Sequence, residues 1–322
     1  MEKMVILADR KSDSWEFAEK VQNYIKETKK VEIPVKEVSI EFFRNEEINM
    51  EVPENVRRKE VYFIHDSNKY PQDWWVELLL LKDLLLSASA ERVNFVLPNM
   101  LYGRKDWKDR PHVPISARAL AESIAPGLKR IITMDLHAAQ GQSIYPSYLP
   151  IDNLSSFPAV CNYIKERPSD FGEIEKLVVV APDVSGAKRV AKFAKKSNSQ
   201  YPIAVIDKRR HPITGEILSV NLIGDVKDKN CLMLDDLVDS GGTLIEGGDC
   251  LKENGAKEMF CYTTHGLYTL GTEKICGKYK KVISGNTHHI KDKNIGIVDM
   301  SSVFAEAMYR DYMGESISEL FK

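Results

Sequence analysis

The residues best able to do chemistry lie between Cys231 and Thr243, in the string CLMLDDLVDSGGT. An apolar run, Asn230 to Leu234, reads as a strand that ends abruptly in Asp235-Asp236. Asp239, Ser240, Gly241, Gly242 and Thr243 follow, and a helix is predicted from Thr243 to Asn254, closed by Gly255. A glycine pair lets the backbone curl so that its N–H groups converge. A helix start favours an anion, and Ser240 and Thr243 add hydroxyl donors. Such a loop suits a phosphate. The two carboxylates repel that phosphate, so they must hold another part of the same ligand, and sugar hydroxyls fit. The bland alternative is an ordinary strand–turn–helix with a surface acid pair.

Other reactive residues are less distinctive alone. His137 stands just past a strand end, where a site can be built, though a lone histidine is more often structural. Tyr102 to Asp109, YGRKDWKD, packs charges into a short segment after a strand and reads alone as a solvated loop. Lys208-Arg209-Arg210-His211 reads alone as a basic turn before Pro212. No G-x-x-x-x-G-K-[ST] string occurs, which excludes a P-loop kinase.

The elements that must position these residues alternate. Strands are predicted at Met4–Ala8, Glu60–His65, Arg92–Pro98 and Arg130–Met134, and helices at Trp15–Ile25, Pro71–Leu85 and Ile115–Ile124. The second half repeats the alternation, with strands at Leu177–Ala181, Pro202–Ile206, Asn230–Leu234 and Glu258–Thr264 and a helix at Gly186–Lys196. Apolar runs alternating with amphipathic helices imply an α/β fold, two similar domains each with a mainly parallel sheet flanked by helices. Pro146, Pro150 and Pro158 mark a seam, giving domains at 1–153 and 154–322.

The 322 residues suit two domains of ordinary size. Hydrophobic residues at 43% and charged residues at 29% read as a soluble globular chain. A net charge of -2 implies no general attraction to nucleic acid or an acidic membrane. Met1 to Lys11 is charged and carries no apolar stretch of signal-peptide length, and the longest apolar run, around Leu78 to Leu81, is far too short to span a bilayer. The five cysteines show no C-x-x-C spacing, so buried thiols in a reducing cytoplasm are expected.

The Cys231–Thr243 segment resembles the ribose-phosphate-binding loop of type I phosphoribosyltransferases and of ribose-phosphate pyrophosphokinases. The rest of the chain resembles the pyrophosphokinases. Tyr102 to Asp109 is similar to their ATP-contacting loop Y-A-R-Q-D, with Lys105 in place of Gln, and Val113 to Ala117 matches the start of the following helix. Asp135 to Gln142, DLHAAQGQ, is similar to D-L-H-A-x-Q-I-Q. Phe43 to Glu47, FRNEE, aligns with the adenine-binding F-x-D-G-E, with Asn45 for Asp and Glu46 for Gly. Ala181 to Arg189, APDVSGAKR, resembles the pyrophosphate loop P-D-A-G-G-A-K-R, and Ser185 replaces a glycine; if φ is positive there, the serine is strained. Asp207 to Arg210, DKRR, matches the mobile catalytic loop, and Thr264-His265-Gly266 and the tail GESISELF also align.

The resemblance implies pyrophosphoryl transfer from ATP to the anomeric hydroxyl of ribose 5-phosphate. It implies catalytic roles for Lys208 and Arg210 and ribose 5-phosphate binding by Asp235, Asp236 and residues 239–243. ATP would be bound by Phe43, Asn45, Glu47, Arg104, Lys105, Asp106 and His137, and pyrophosphate by the loop of Asp183, Val184, Ser185 and Gly186. Magnesium is the implied cofactor, with His137 and Asp183 on its protein side. The resemblance further implies a cytoplasmic, dimer-based homo-oligomer, up to a hexamer, with the last helix and tail packing back on the first domain. Two alternatives stay open: a phosphoribosyltransferase, which usually lacks the N-terminal half, and a non-catalytic regulatory homologue.

Overall fold

A continuous apolar run can be a strand only where both sheet faces are covered, and two sheets built of such runs organise this chain. The computed structural model describes residues 3–172, 177–196, 201–210 and 217–321. The chain divides into two units, one of residues 1–155, 287–289 and 300–322, the other of residues 156–286 and 290–299.

The first unit contains β1 (Met4–Ala8), α1 (Ser14–Lys29), β2 (Val35–Glu37), β3 (Ser39–Phe42), β4 (Ile48–Glu51), β5 (Glu60–Ile64), α2 (Pro71–Ser87), β6 (Arg92–Leu97), α3 (Ser116–Ile124), β7 (Arg130–Met134) and β8 (Ile151–Leu154). Its sheet has the order β2-β1-β5-β6-β7-β8 and every pairing is parallel. Every residue of β1 and β5 is buried. β3 and β4 form a separate antiparallel hairpin.

The second unit contains α4 (Phe157–Lys165), α5 (Pro168–Phe171), β9 (Val178–Ala181), α6 (Ala187–Lys196), β10 (Ile203–Arg210), β11 (Ile217–Ile223), β12 (Asn230–Val238), α7 (Gly242–Glu253), β13 (Glu258–Gly266), α8 (Glu273–Cys276), β14 (Lys281–Gly285) and β15 (Ile295–Val298). Its order is β11-β10-β9-β12-β13-β14-β15, with only β11 antiparallel to its neighbour. In both sheets the second strand lies outside the first, and the remaining parallel strands run off the other side. The order therefore reverses between β1 and β5 in one unit and between β9 and β12 in the other. Ligands of open α/β sheets bind beyond the carboxyl ends of the strands at such reversals.

The last helix, α9 (Ser301–Met313), belongs to the first unit. Phe304 packs edge-on against Phe17 of α1 with centroids 5.6 Å apart. Glu306 pairs with Lys29 at 2.8 Å, and the Tyr62 hydroxyl of β5 donates to Asp311 at 2.7 Å.

No disulfide links the five cysteines; Cys231, Cys250 and Cys261 are buried, while Cys161 and Cys276 are half-buried. Among the described residues no helix is long and apolar enough to cross a membrane.

Candidate active site

At the β9/β12 reversal the acid pair sits inside a strand rather than beyond its end. β12 continues through Val238 because β13 lies alongside it as far as Gly266, pairing Asp235 with Thr263 and Val238 with Gly266. Asp235 and Asp236 keep only 16% and 6% of their side chains exposed. Burial, and then the neighbouring charge of Asp236, raise Asp235 well above the usual carboxylate range.

The loop that follows is fixed by short bonds. The Asp239 carboxylate accepts from the Thr269 hydroxyl at 2.7 Å, and the Asp239 carbonyl accepts from the Thr269 N–H at 2.9 Å. Gly241 caps α7 in the left-handed region, at φ 84°. A Cβ at Gly241 would come within 2.5 Å of Cδ1 of Ile275. With Gly242 in the helix's first turn, backbone N–H groups face the loop where an anion can be held.

Across the reversal, β9 ends at Ala181 and leads into Asp183. Oδ1 of Asp183 accepts from the Ser185 hydroxyl at 2.6 Å and from the Gly186 N–H at 2.8 Å. Ser185 is not among the residues with positive φ, so the strain anticipated for a serine does not arise; its hydroxyl braces the loop instead. Val184 is exposed.

From α6, Arg189 sends Nη1 to within 2.7 Å of Asp236 and 3.6 Å of Asp235. Sequence reasoning assigned Arg189 no role. The signal was there: a buried acid pair needs a cation, and Arg189 is the arginine of the helix that follows the neighbouring strand.

Lys208 departs from expectation. The sequence places it in a basic stretch after a strand, whereas β10 runs on through Arg210 because β11 pairs with it, Lys208 opposite Val220. Its side chain is buried, with Nζ 3.1 Å from the Thr243 carbonyl and 3.2 Å from Oε2 of Glu246. Arg210 ends β10; its side chain and the turn Pro212 to Gly215 lie outside the described residues.

In the first unit one cavity brings together Asp106 and His137, with Met100, Leu120, Gly141 and Tyr145 among its walls. His137 is exposed there, after the end of β7. Arg104 and Lys105 flank the cavity in sequence; Lys105 pairs with Asp109 at 2.5 Å. Phe43, Asn45 and Glu47 do not line it. They form the tip between β3 and β4, where the Phe43 N–H donates to the Glu47 carbonyl and the Glu46 N–H to the Phe43 carbonyl, each at 2.9 Å, and Phe43 is 54% exposed. Glu46, where the resembling motif has glycine, takes φ 65°.

Among the described residues no group of three or more His, Cys, Asp or Glu could hold a metal ion. A sparse oxygen donor such as Asp183 suits magnesium, which keeps several waters and is bound through one or two carboxylates plus substrate phosphates. It does not offer the closed set of four nitrogen and sulfur ligands that a structural zinc takes.

Comparison with known proteins points to one family. Residues 4–126 match the family described as the N-terminal domain of ribose phosphate pyrophosphokinase, and residues 208–322 match the phosphoribosyl synthetase-associated domain. The chain is 37% identical over 302 residues to ribose-phosphate pyrophosphokinase 4 of Saccharomyces cerevisiae, covering 91% of this chain and 90% of that one. It is 37% identical to a ribose-phosphate pyrophosphokinase of Hyphomonas neptunium, covering 88% of this chain and 90% of the relative. The crystal structure of phosphoribosylpyrophosphate synthetase from Mycobacterium smegmatis superimposes with a TM-score of 0.85 at 28% identity, covering 97% of this chain and 99% of that one.

Proposed function

The chain belongs to the ribose-phosphate pyrophosphokinase family, and we propose that it transfers pyrophosphate from ATP to ribose 5-phosphate, giving 5-phosphoribosyl 1-pyrophosphate and AMP. The observation that carries this reading is the meeting of the Asp183 loop and the acid pair before Gly241-Gly242 at one strand-order reversal.

In the reaction the anomeric oxygen forms a bond to the β-phosphorus. The bond from that phosphorus to the α,β-bridging oxygen breaks, AMP leaves with the electron pair, and the hydroxyl proton passes to solvent. Such transfers depend on positioning and charge stabilisation. Asp235 and Asp236 accept hydrogen bonds from the ribose hydroxyls. The N–H groups of Gly241, Gly242 and Thr243 and the hydroxyls of Ser240 and Thr243 donate to the 5-phosphate, beside Asp239. Phe43, Asn45, Glu47, Arg104, Lys105, Asp106 and His137 bind ATP, and the loop of Asp183 to Gly186 takes the pyrophosphate. Lys208 and Arg210 neutralise charge on the departing oxygen. Asp183 and His137 would be protein donors for magnesium, which when bound would supply positive charge to the phosphates. The protein acts in the cytoplasm as a dimer-based homo-oligomer.

The test is AMP release from ATP and magnesium with and without ribose 5-phosphate. Stoichiometric AMP and phosphoribosyl pyrophosphate, dependent on the sugar phosphate, are expected. Pyrophosphate release from phosphoribosyl pyrophosphate on adding a nucleobase, with no sugar-dependent AMP, would make it a phosphoribosyltransferase. Neither product would leave a non-catalytic homologue.

A further inference from the structure

Only 6% of the Lys208 side chain is exposed, and its ammonium is held by two oxygens of one helix: the Thr243 carbonyl at 3.1 Å and Oε2 of Glu246 at 3.2 Å. That helix is α7, whose N-terminus is the anion-binding loop. We propose that Glu246 is a positioning residue, which keeps Lys208 withdrawn against the first turn of α7 until an anionic substrate draws it out. The proposal rests on the reading of Lys208 as the cation that serves the transition state.

Charge and burial argue for it together. An ammonium this far from water is retained only when paired, because an unpaired buried charge is strongly unfavourable. The carbonyl of Thr243 is a weak partner alone; the carboxylate supplies the charge. The exposures are unequal, 6% for Lys208 against 30% for Glu246. When the ammonium leaves, Glu246 is solvated where it stands, so the withdrawn state can be given up without stranding a buried carboxylate. While it lasts, the nitrogen is covered and points its protons at α7 rather than at a triphosphate. A ligand shifts such an equilibrium only by its differential affinity for the two states. Part of the substrate's binding is therefore spent on breaking the Lys208–Glu246 pair, and this lowers apparent affinity.

The experiment compares the parent with Glu246→Gln, which keeps the shape and removes the charge. Without substrate, the full-length protein is acylated with a limiting amine-reactive anhydride and labelling at Lys208 is followed by mass spectrometry. Lys229, 35% exposed and paired with Asp225, is the internal reference. In the parent, Lys208 should label at least about tenfold more slowly than Lys229, and in Glu246→Gln within about threefold of it. The apparent KM for ATP should fall about threefold to tenfold in Glu246→Gln, with kcat changed less than about twofold. Equal Lys208 labelling in parent and variant overturns the proposal, as does a variant whose KM rises. If Glu246→Gln fails to fold, Glu246→Ser is read the same way. Lys208→Ala separates the two claims: retained turnover there ends the catalytic reading of Lys208, while the labelling difference still decides the role of Glu246.

Discussion

Arg189 on α6 reaches across the strand-order reversal to Asp236 on β12, Nη1 to Oδ1, at 2.7 Å, and the same nitrogen lies 3.6 Å from Asp235. One guanidinium thus holds two carboxylates of adjacent residues, Asp236 buried and Asp235 nearly so. Removing it would leave them facing each other in a site with little water, and breaking a buried pair costs about 3–5 kcal/mol. Arg189→Ala is expected to weaken ribose 5-phosphate binding at least about tenfold, because the acids lose their orientation. Asp236→Ala should do the same by removing a sugar ligand. Calorimetric titration with ribose 5-phosphate checks both, with ATP binding as the control that should stay near parental. Parental sugar-phosphate binding in both variants would sink the assignment.

The two loop glycines should behave differently. A Cβ at Gly241 meets Ile275 at 2.5 Å, and φ is +84°. Gly241→Ala is therefore expected to cost about 1–3 kcal/mol of stability as well as ribose 5-phosphate binding. At Gly242 the nearest atom to an added Cβ is the Ser240 hydroxyl oxygen, at 4.0 Å. Gly242→Ala should melt like the parent yet bind the sugar phosphate less tightly, because the methyl intrudes where the ligand approaches the backbone. Urea unfolding and calorimetry on both variants decide it; equal unfolding midpoints for the two would contradict the first claim.

Activity should require magnesium and vanish on chelation. Asp183→Ala is expected to raise the magnesium concentration for half-maximal rate about tenfold, by loss of one carboxylate donor, and His137→Ala should raise it as well. Ser185→Ala is the control: it removes the 2.6 Å bond to Asp183 and leaves the carboxylate in place. If Asp183→Ala titrates with magnesium like the parent, or Ser185→Ala shifts the titration as far, Asp183 is a loop brace rather than a metal donor.

Glu77 of α2 is fully buried, 3.0 Å from Lys69, which also contacts Asp9 at 2.8 Å. Its other oxygen is 3.4 Å from Nε2 of His65. Burial pushes the Glu77 carboxyl up to about 7, with Asp9 and Asp73 adding to the rise and Lys69 opposing it. A carboxyl that holds its proton more tightly folded than unfolded stabilises the fold fully below the ordinary glutamate value of about 4.3, and loses that contribution as pH rises through 7. Burial lowers His65 to about 3, so its contribution has the opposite sign: present above about 6.5 and lost as pH falls. Glu77→Gln should therefore gain on the parent by on the order of 2–3 kcal/mol between pH 5 and pH 8. Chemical denaturation of both proteins at the two pH values measures this directly, and a difference independent of pH would refute it.

The parallel strands were legible because burial on both faces leaves an uninterrupted apolar string, as at Met4–Ala8 and Val178–Ala181. The short strands β2 (VKE) and β8 (IDNL) carry no such string, since at the sheet edges polar residues are tolerated. Strand ends were misjudged where a distant partner decides them: β13 carries β12 past its acids, and β11 carries β10 past Lys208. Of the site, the Gly241-Gly242 loop could be read locally because turn chemistry is local. The partnerships of Arg189 with Asp236 and of Lys208 with Glu246 could not, because each joins elements whose proximity only the folded sheet creates.

The placement of α9 in the first unit sets the order of events on the ribosome. Phe304, Ala305, Ala307 and Met308 are fully buried in a unit whose other strands and helices are synthesised before residue 156. Until α9 emerges, the face of α1 that carries Phe17 has no cover, and the Tyr62 hydroxyl lacks its bond to Asp311. Nearly the whole of the second unit is translated in that interval, on the order of ten seconds at roughly 5–20 residues per second. The unit made first thus receives α9 only after the other unit, and the nascent chain must keep an apolar groove open for that helix while the other unit is still being made.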